Sequence, residues 1–267
     1  CLFLWFLAPH APFYRARRHA DLYNGVPIPK PKTFDDDLRG YPGKPRAFSK
    51  GMSKFVTGGY GSDDPRSLEE LVKDHYAGVV ATDDNAGKIM GALQHMGALD
   101  ETAILFSSDH GFFLGEWGLY NKMLMHEPSI RVPLALRYPR LIKPGSVCDK
   151  MALNLDIAPT MLELAGVKHP ARIDGRSLVP LLEGNDVHDW RTDWLYEYYD
   201  ERYAAKSRGV RTGKYKLIHY WEAPEEFEFY DLEADPGELN NLYGDPGHAT
   251  TVSQLKSRIL QLIAETA

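Results

Sequence analysis

Two cysteines, Cys1 and Cys148, are all that this 267-residue chain contains, too few for a disulfide framework. Neither stands in a Cys-x-x-Cys spacing, so sulfur indicates no thiolate metal site and gives no reading of compartment. Long apolar runs are missing too. The run at residues 1–8 is far short of the roughly 20 residues that span a bilayer, and no membrane span is expected. Positive charge is not in excess: 31 basic and 37 acidic residues are interspersed, the net charge is -6, and no basic stripe offers a footprint for nucleic acid. Internal repeats and low-complexity tracts are absent. What remains is 43% hydrophobic and 12% aromatic residues, enough for one large core or a core with a smaller satellite.

Residues 1–8, Cys-Leu-Phe-Leu-Trp-Phe-Leu-Ala, read as a strand buried on both faces of a helix-covered parallel sheet. No initiator Met or basic segment precedes them, which argues against a signal peptide, and a chain opening inside a core strand is expected not to start at its natural beginning. Residues 12–66 are rich in Pro, Gly, Lys and Asp and suit an extended surface excursion along a cleft rim. Ser67-Leu68-Glu69-Glu70 then fits a capping box. Apolar residues at Leu68, Leu71, Val72, Tyr76, Val79, Val80, Ile89, Met90 and Leu93 predict a long helix ending near Gly97.

A strand at 103–108 follows directly, and at its carboxyl end stand Asp109, His110 and Gly111. Ligands and catalytic groups of open α/β sheets collect beyond the carboxyl ends of strands, so this is the expected site. A second strand is predicted at 132–138, then a helix capped by Asp156, with Pro159 in its first turn and Gly166 as its stop. After about Asn185 short aromatic and β-branched runs at 194–199, 208–211 and 215–220, with a turn at Thr212-Gly213, predict a small antiparallel sheet. A closing amphipathic helix is expected to pack Val252, Leu255, Ile259, Leu260 and Ile263 against it.

The order of several motifs resembles a type I sulfatase of the alkaline-phosphatase superfamily. They are Ala8-Pro9-His10-Ala11-Pro12, Thr82-Asp83-Asp84-Asn85, Ser107-Ser108-Asp109-His110-Gly111, Gly115-Glu116-Trp117-Gly118-Leu119 with Lys122, Glu127-Pro128-Ser129-Ile130-Arg131-Val132-Pro133-Leu134, and Tyr230-Asp231-Leu232 through Leu242. The resemblance implies an alkaline-phosphatase-like α/β fold, a mixed sheet flanked by helices and present here in part, followed by a smaller C-terminal α+β subdomain of antiparallel sheet plus helix. The division is expected at 1–185 and 186–267. It also implies hydrolysis of sulfate esters, a sulfated sugar among the possible substrates, with a formylglycine nucleophile and a divalent cation, usually calcium. Members of the family are mostly exported, periplasmic or lysosomal.

Carried over residue by residue, the resemblance makes Asp109 and His110 metal ligands, and Lys122 and His10 the groups that bind sulfate and protonate the leaving oxygen. The chemistry suits the residue types. A carboxylate is a hard ligand for calcium or magnesium, an imidazole titrates near neutrality, and a lysine among Leu119, Tyr120, Met123 and Leu124 is expected to be partly enclosed. Plain alternatives stand beside each role: Asp109 as a turn cap, Lys122 as a solvated lysine, His10 as a packing residue. Adjacent Asp83 and Asp84 point about 100° apart on a helix and are assigned to packing and surface contacts. His126 is read as a supporting residue or a substrate contact, and Tyr196, Tyr198, Tyr199 and Arg211 as sheet core or pocket wall.

The departures from the family are large. The Cys/Ser-x-Pro/Ala-x-Arg segment that yields formylglycine is absent, the nearest serine, Ser207, being followed by Gly209 at the Pro/Ala position, and no Asp-Asp pair follows the first strand. The chain is therefore expected to be the C-terminal part of a sulfatase, inactive alone. A phosphonate monoester or phosphodiester hydrolase of the same superfamily and a non-catalytic remnant are the alternatives.

Overall fold

A computed structural model describes residues 1–41, 66–168, 172–200, 204–222 and 224–266. Residues 42–65 of the proline-rich excursion lie outside the described residues, as does any rim they contribute. Its first part, residues 12–41, runs through turns and one short 3-10 turn at Arg17–His19, burying Phe34 and Tyr41.

Helix α1 (Leu68–His95) begins as expected: Ser67 Oγ accepts from the Glu70 amide at 3.2 Å and Glu70 Oε2 accepts from the Ser67 amide at 2.7 Å. It buries Leu68, Leu71, Val72, Ala77 and Gly78. Asp84 faces outward, paired with Arg18 at 2.9 Å, the surface contact expected of it.

Strand β1 (Ile104–Ser107) pairs with β4 (Leu134–Arg137), antiparallel, with Ile104 opposite Arg137 and Ser107 opposite Leu134. Between them lie a short hairpin, β2 (Phe113–Leu114) with β3 (Tyr120–Asn121), and a one-turn helix α2 (Glu127–Ile130). Helices α3 (Ile157–Leu164) and α4 (Val179–Leu182) follow. Asp156 departs from its expected capping role. Its buried carboxylate makes no cap bond to α3, but accepts from the Leu153 and Arg176 amides, both at 2.8 Å, and pairs with Arg191. It ties three segments together.

The opening strand is a second correction. Residues 1–7 form no strand, and Leu2, Phe3, Leu4, Trp5, Phe6 and Leu7 are all exposed. An apolar run becomes a strand only when a neighbouring backbone supplies its ladder, and among the described residues none does.

The C-terminal sheet has the order β5 (Asp193–Tyr198), β6 (Ser207–Thr212), β7 (Tyr215–Tyr220), β8 (Glu226–Asp231), all antiparallel. Because side chains alternate along a strand, it has two buried faces. Val210, Leu217 and Phe229 pack under α5 (Ala249–Thr266), while Ile218, Tyr220 and Tyr230 pack on Met125 and Ile130. On α5 the buried residues are Val252, Leu255, Ile259 and Leu262; Leu260, expected on that face, is 62% exposed. One residue is a 100° turn, so the residue after Ile259 leaves the face that Leu262 rejoins.

Candidate active site

Asp109 and His110 follow β1 directly. The Asp109 carboxylate is 74% exposed, its Oδ1 accepts from the His110 amide at 3.0 Å, and its carbonyl accepts from Asn154 Nδ2 at 2.8 Å. His110 Nδ1 lies 2.8 Å from Gly111 O. A carbonyl only accepts, so Nδ1 carries a proton, and Nε2 faces Asp109 Oδ2, 3.3 Å away. Gly111 is required for close approach: a Cβ there would lie 2.1 Å from Pro128 O, and its amide donates to Ser129 O at 2.7 Å. The glycine thereby seats β1's carboxyl end on α2.

Lys122 follows the hairpin and is half-buried, as its apolar neighbours suggested. It sits between two non-glycine residues in the left-handed region, Asn121 (φ 90°) and Met123 (φ 83°). That conformation is costly for a methionine, and strain of this kind concentrates at functional sites. The Tyr196 hydroxyl holds it by donating to Met123 O at 3.1 Å. Burial lowers the Lys122 ammonium below its ordinary value, and the Asp109 carboxylate opposes that shift.

His10 does not project from a strand end. It occupies a turn, its amide donating to Leu7 O at 2.8 Å. Its Nδ1 is 2.8 Å from Ala11 O, which makes Nδ1 the donor and leaves Nε2 facing Lys122 Nζ at 3.3 Å. The structure therefore brings His10 to Lys122, and Lys122 under the influence of Asp109.

Behind this cluster lie supports, of which the sequence reading named His126 and missed Glu228 and Lys216. His126, fully buried, meets Glu228 Oε2 through Nε2 at 2.9 Å, and Tyr220 also donates to Glu228, at 3.2 Å. Lys216, fully buried on β7, reaches Glu238 at 2.6 Å and Glu127 at 2.8 Å. Arg211, considered as pocket wall, also pairs with Glu127, at 3.4 Å. Burial acts to raise the Glu127 carboxyl, but Lys216 and Arg211 outweigh it and hold it below its ordinary value. Tyr198 packs beside Trp117 and Leu124, while Tyr199 is exposed.

Comparison with known proteins places this geometry. The model of the sulfatase family matches residues 1–167, and that of the C-terminal part of N-sulphoglucosamine sulphohydrolase matches 115–265. The chain belongs to the sulfatase family. The N-acetylglucosamine-6-O-sulfatase of Bacteroides thetaiotaomicron is 41% identical over 203 residues, 74% of this sulfatase chain and 36% of the relative. A multifunctional alkaline phosphatase superfamily protein of Trinickia caryophylli is 29% identical over 97% of the chain and 54% of its own length. Among solved structures, a complex with the substrate D-glucosamine-2-N,6-O-disulfate superposes with a TM-score of 0.86 at 31% identity, covering 95% of this chain and 63% of that one. The alkaline-phosphatase-like α/β fold and the small C-terminal sheet with its helix are thereby shown. The chain spans about half or less of the curated relatives' length.

The family works with a divalent cation and a formylglycine. Asp109 and His110 fit the first as part of a site: a hard oxygen and an imidazole nitrogen face each other at 3.3 Å beyond a strand end. A cation such as calcium takes six to eight ligands, and among the described residues no group of three or more His, Cys, Asp or Glu could hold one. No helix among the described residues is long and apolar enough to cross a membrane.

Proposed function

We propose that this chain supplies the leaving-group and part of the metal-binding machinery of a sulfatase acting on sulfated sugars. The observation that carries the reading is the approach of Lys122 Nζ to His10 Nε2 at 3.3 Å, beside the exposed Asp109 carboxylate. As the S–O bond breaks, charge grows on the leaving oxygen, so cationic donors aimed at one point favour the transition state over the ester. In this geometry the Lys122 ammonium donates to His10 Nε2, so the pair holds a transferable proton. An ester oxygen entering between them takes that proton from Lys122 Nζ, whose remaining N–H groups stay bonded to the sulfate.

Asp109 and His110 would hold the cation, calcium in this proposal; when bound, calcium and formylglycine would supply charge neutralisation and the attacking oxygen. The large part is taken as residues 1–185 and the C-terminal subdomain as 186–267. The subdomain's role is to fix the 122–130 segment through Tyr196, Glu228 and Lys216. The substrate class rests on the relatives, one an N-acetylglucosamine-6-O-sulfatase and one solved with a glucosamine disulfate.

The test is turnover by the catalytically complete enzyme on glucosamine-6-sulfate, an aryl sulfate and an aryl phosphonate. Preference for the sulfated sugar is expected. Faster turnover of the phosphonate would favour the second reading, a phosphonate hydrolase, for which the similarity to the solved phosphonate monoester hydrolase of Agrobacterium radiobacter, 26% identical with a TM-score of 0.71, speaks.

A further inference from the structure

His10 opens a turn that closes on itself, the Phe13 amide donating to His10 O at 3.4 Å. The turn ends on Phe13, a buried aromatic residue in the left-handed region (φ 54°). That backbone is costly for a bulky side chain and persists only where the surroundings impose it. Arg66 imposes it: Nη2 donates to Pro12 O at 2.9 Å and Nη1 to Phe13 O at 3.3 Å, so one guanidinium takes the two carbonyls that flank the strained φ. Nη1 also donates to Asp74 Oδ2 at 2.8 Å, and Arg15 Nε takes the other oxygen, Oδ1. Fastened to a carboxylate and to two carbonyls, the planar fork has one orientation.

Asp74 stands on α1, and the helix meets the same segment twice more. Gly78 lets it approach so closely that an added Cβ would lie 3.3 Å from both Pro9 Cα and Pro9 Cβ. Thr82 Oγ1 lies 3.2 Å from Ala8 O. Positions 74, 78 and 82 are spaced by four, hence on one helix face. That face holds the chain before His10 directly and the chain after it through Arg66. The Phe13 ring also meets Phe112 edge-on at 5.5 Å, and Lys122 Nζ lies 5.9 Å from the centre of the Phe112 ring. The last residue of the turn thus packs on the ring beneath Lys122, while the first residue is His10.

We infer that Arg66, oriented by Asp74, is a positioning residue for leaving-group protonation: it fixes the 10–13 turn and so holds His10 Nε2 at Lys122 Nζ. This rests on the proposed role of His10 and Lys122. Arg66 acts on the backbone and transfers no proton.

The experiment uses the catalytically complete enzyme with Arg66→Met, Arg66→Lys, Arg15→Met and His10→Ala, each assayed on an alkyl sugar sulfate and an activated aryl sulfate. Arg66→Met keeps a stem and loses the fork, while Asp74 keeps Arg15 as its partner, so no carboxylate is stranded. It is expected to lower kcat on the alkyl ester about tenfold or more, with KM little changed and the aryl ester nearly spared, since a general acid contributes on the order of 10²–10⁴ for poor leaving groups. Arg66→Lys returns a point charge without the fork and is expected to recover part of that loss. Arg15→Met breaks the other half of the Asp74 pair, along with the bonds to Ala20 O and Leu22 O, and leaves Arg66 on the turn; its effect is expected to be the same on both esters. A crystal structure of Arg66→Met is expected to show the His10–Lys122 separation widened beyond its present 3.3 Å. Equal losses on both esters in Arg66→Met, the same alkyl-selective loss in Arg15→Met, or an unmoved His10 overturns the inference. If Arg66→Met does not fold, Arg66→Lys carries the test, with a smaller alkyl-selective loss expected and no loss overturning it. A His10→Ala variant without alkyl-selective loss instead removes the proposed role of His10, and the crystallographic separation then decides whether Arg66 positions the turn.

Discussion

His126 Nε2 meets Glu228 Oε2 at 2.9 Å inside the protein, joining the segment four residues after Lys122 to the middle of β8, an edge strand of the C-terminal sheet. Glu228 also accepts from Tyr220 and Tyr230, and burial, the largest cause, drives both phenols well above the ordinary tyrosine value with Glu228's charge adding to it. Glu228→Ala therefore leaves a buried imidazole and two buried hydroxyls without their shared acceptor. A loss of about 3–5 kcal/mol is expected, the range for breaking a buried charged pair. Urea unfolding checks it, and a loss under about 1 kcal/mol would show that water replaces the carboxylate readily.

Replacing Asp109 by Ala in the complete enzyme should abolish turnover while far-UV circular dichroism stays the same, since an exposed carboxylate contributes little to folding. Metal content measured after dialysis should fall with it. Retained turnover at normal metal content would falsify the assignment. His110→Ala should be milder, because one neutral ligand is replaceable by water.

A leaving-group series separates the roles of Lys122 and His10. If either delivers the proton, its alanine variant should lose far more on poor alkyl leaving groups than on activated aryl ones, by about 10²-fold or more for the former. Parallel losses across the series would reduce both residues to sulfate binders.

Much of this arrangement was legible in the residues, for identifiable reasons. Ser67 and Glu70 announce α1 because capping is local chemistry, and Asp109-His110-Gly111 announces a site because a strand end, two donors and a glycine seldom coincide. The apolar run at 2–7 misled, since a ladder is a property of two segments and sequence shows one. Strand β8 was not separated as a strand. Its Glu228 is fully buried, where His126, 102 residues away, supplies a partner.

Lys216 gives a pH-dependent prediction. In the folded protein burial alone would raise Glu127, but Lys216 and Arg211 hold it below its ordinary value. A carboxyl with a depressed folded value contributes stability that is fully present above its unfolded value and is lost as pH falls through the folded one. Lys216→Met keeps the bulk of the stem and removes the ammonium that reaches Glu127 at 2.8 Å and Glu238 at 2.6 Å. Burial then prevails more strongly over Arg211 alone, the folded value of Glu127 rises, and the variant's stability near neutrality drops by about 3–5 kcal/mol. Acid should narrow the gap, because protonating the stranded carboxylates relieves the variant while costing the wild type its ion pair. Denaturant midpoints of both proteins measured from about pH 7 down to about pH 4, across the ordinary carboxylate range, are expected to converge. A deficit constant over that interval would mean that lost packing, not uncompensated charge, accounts for the damage.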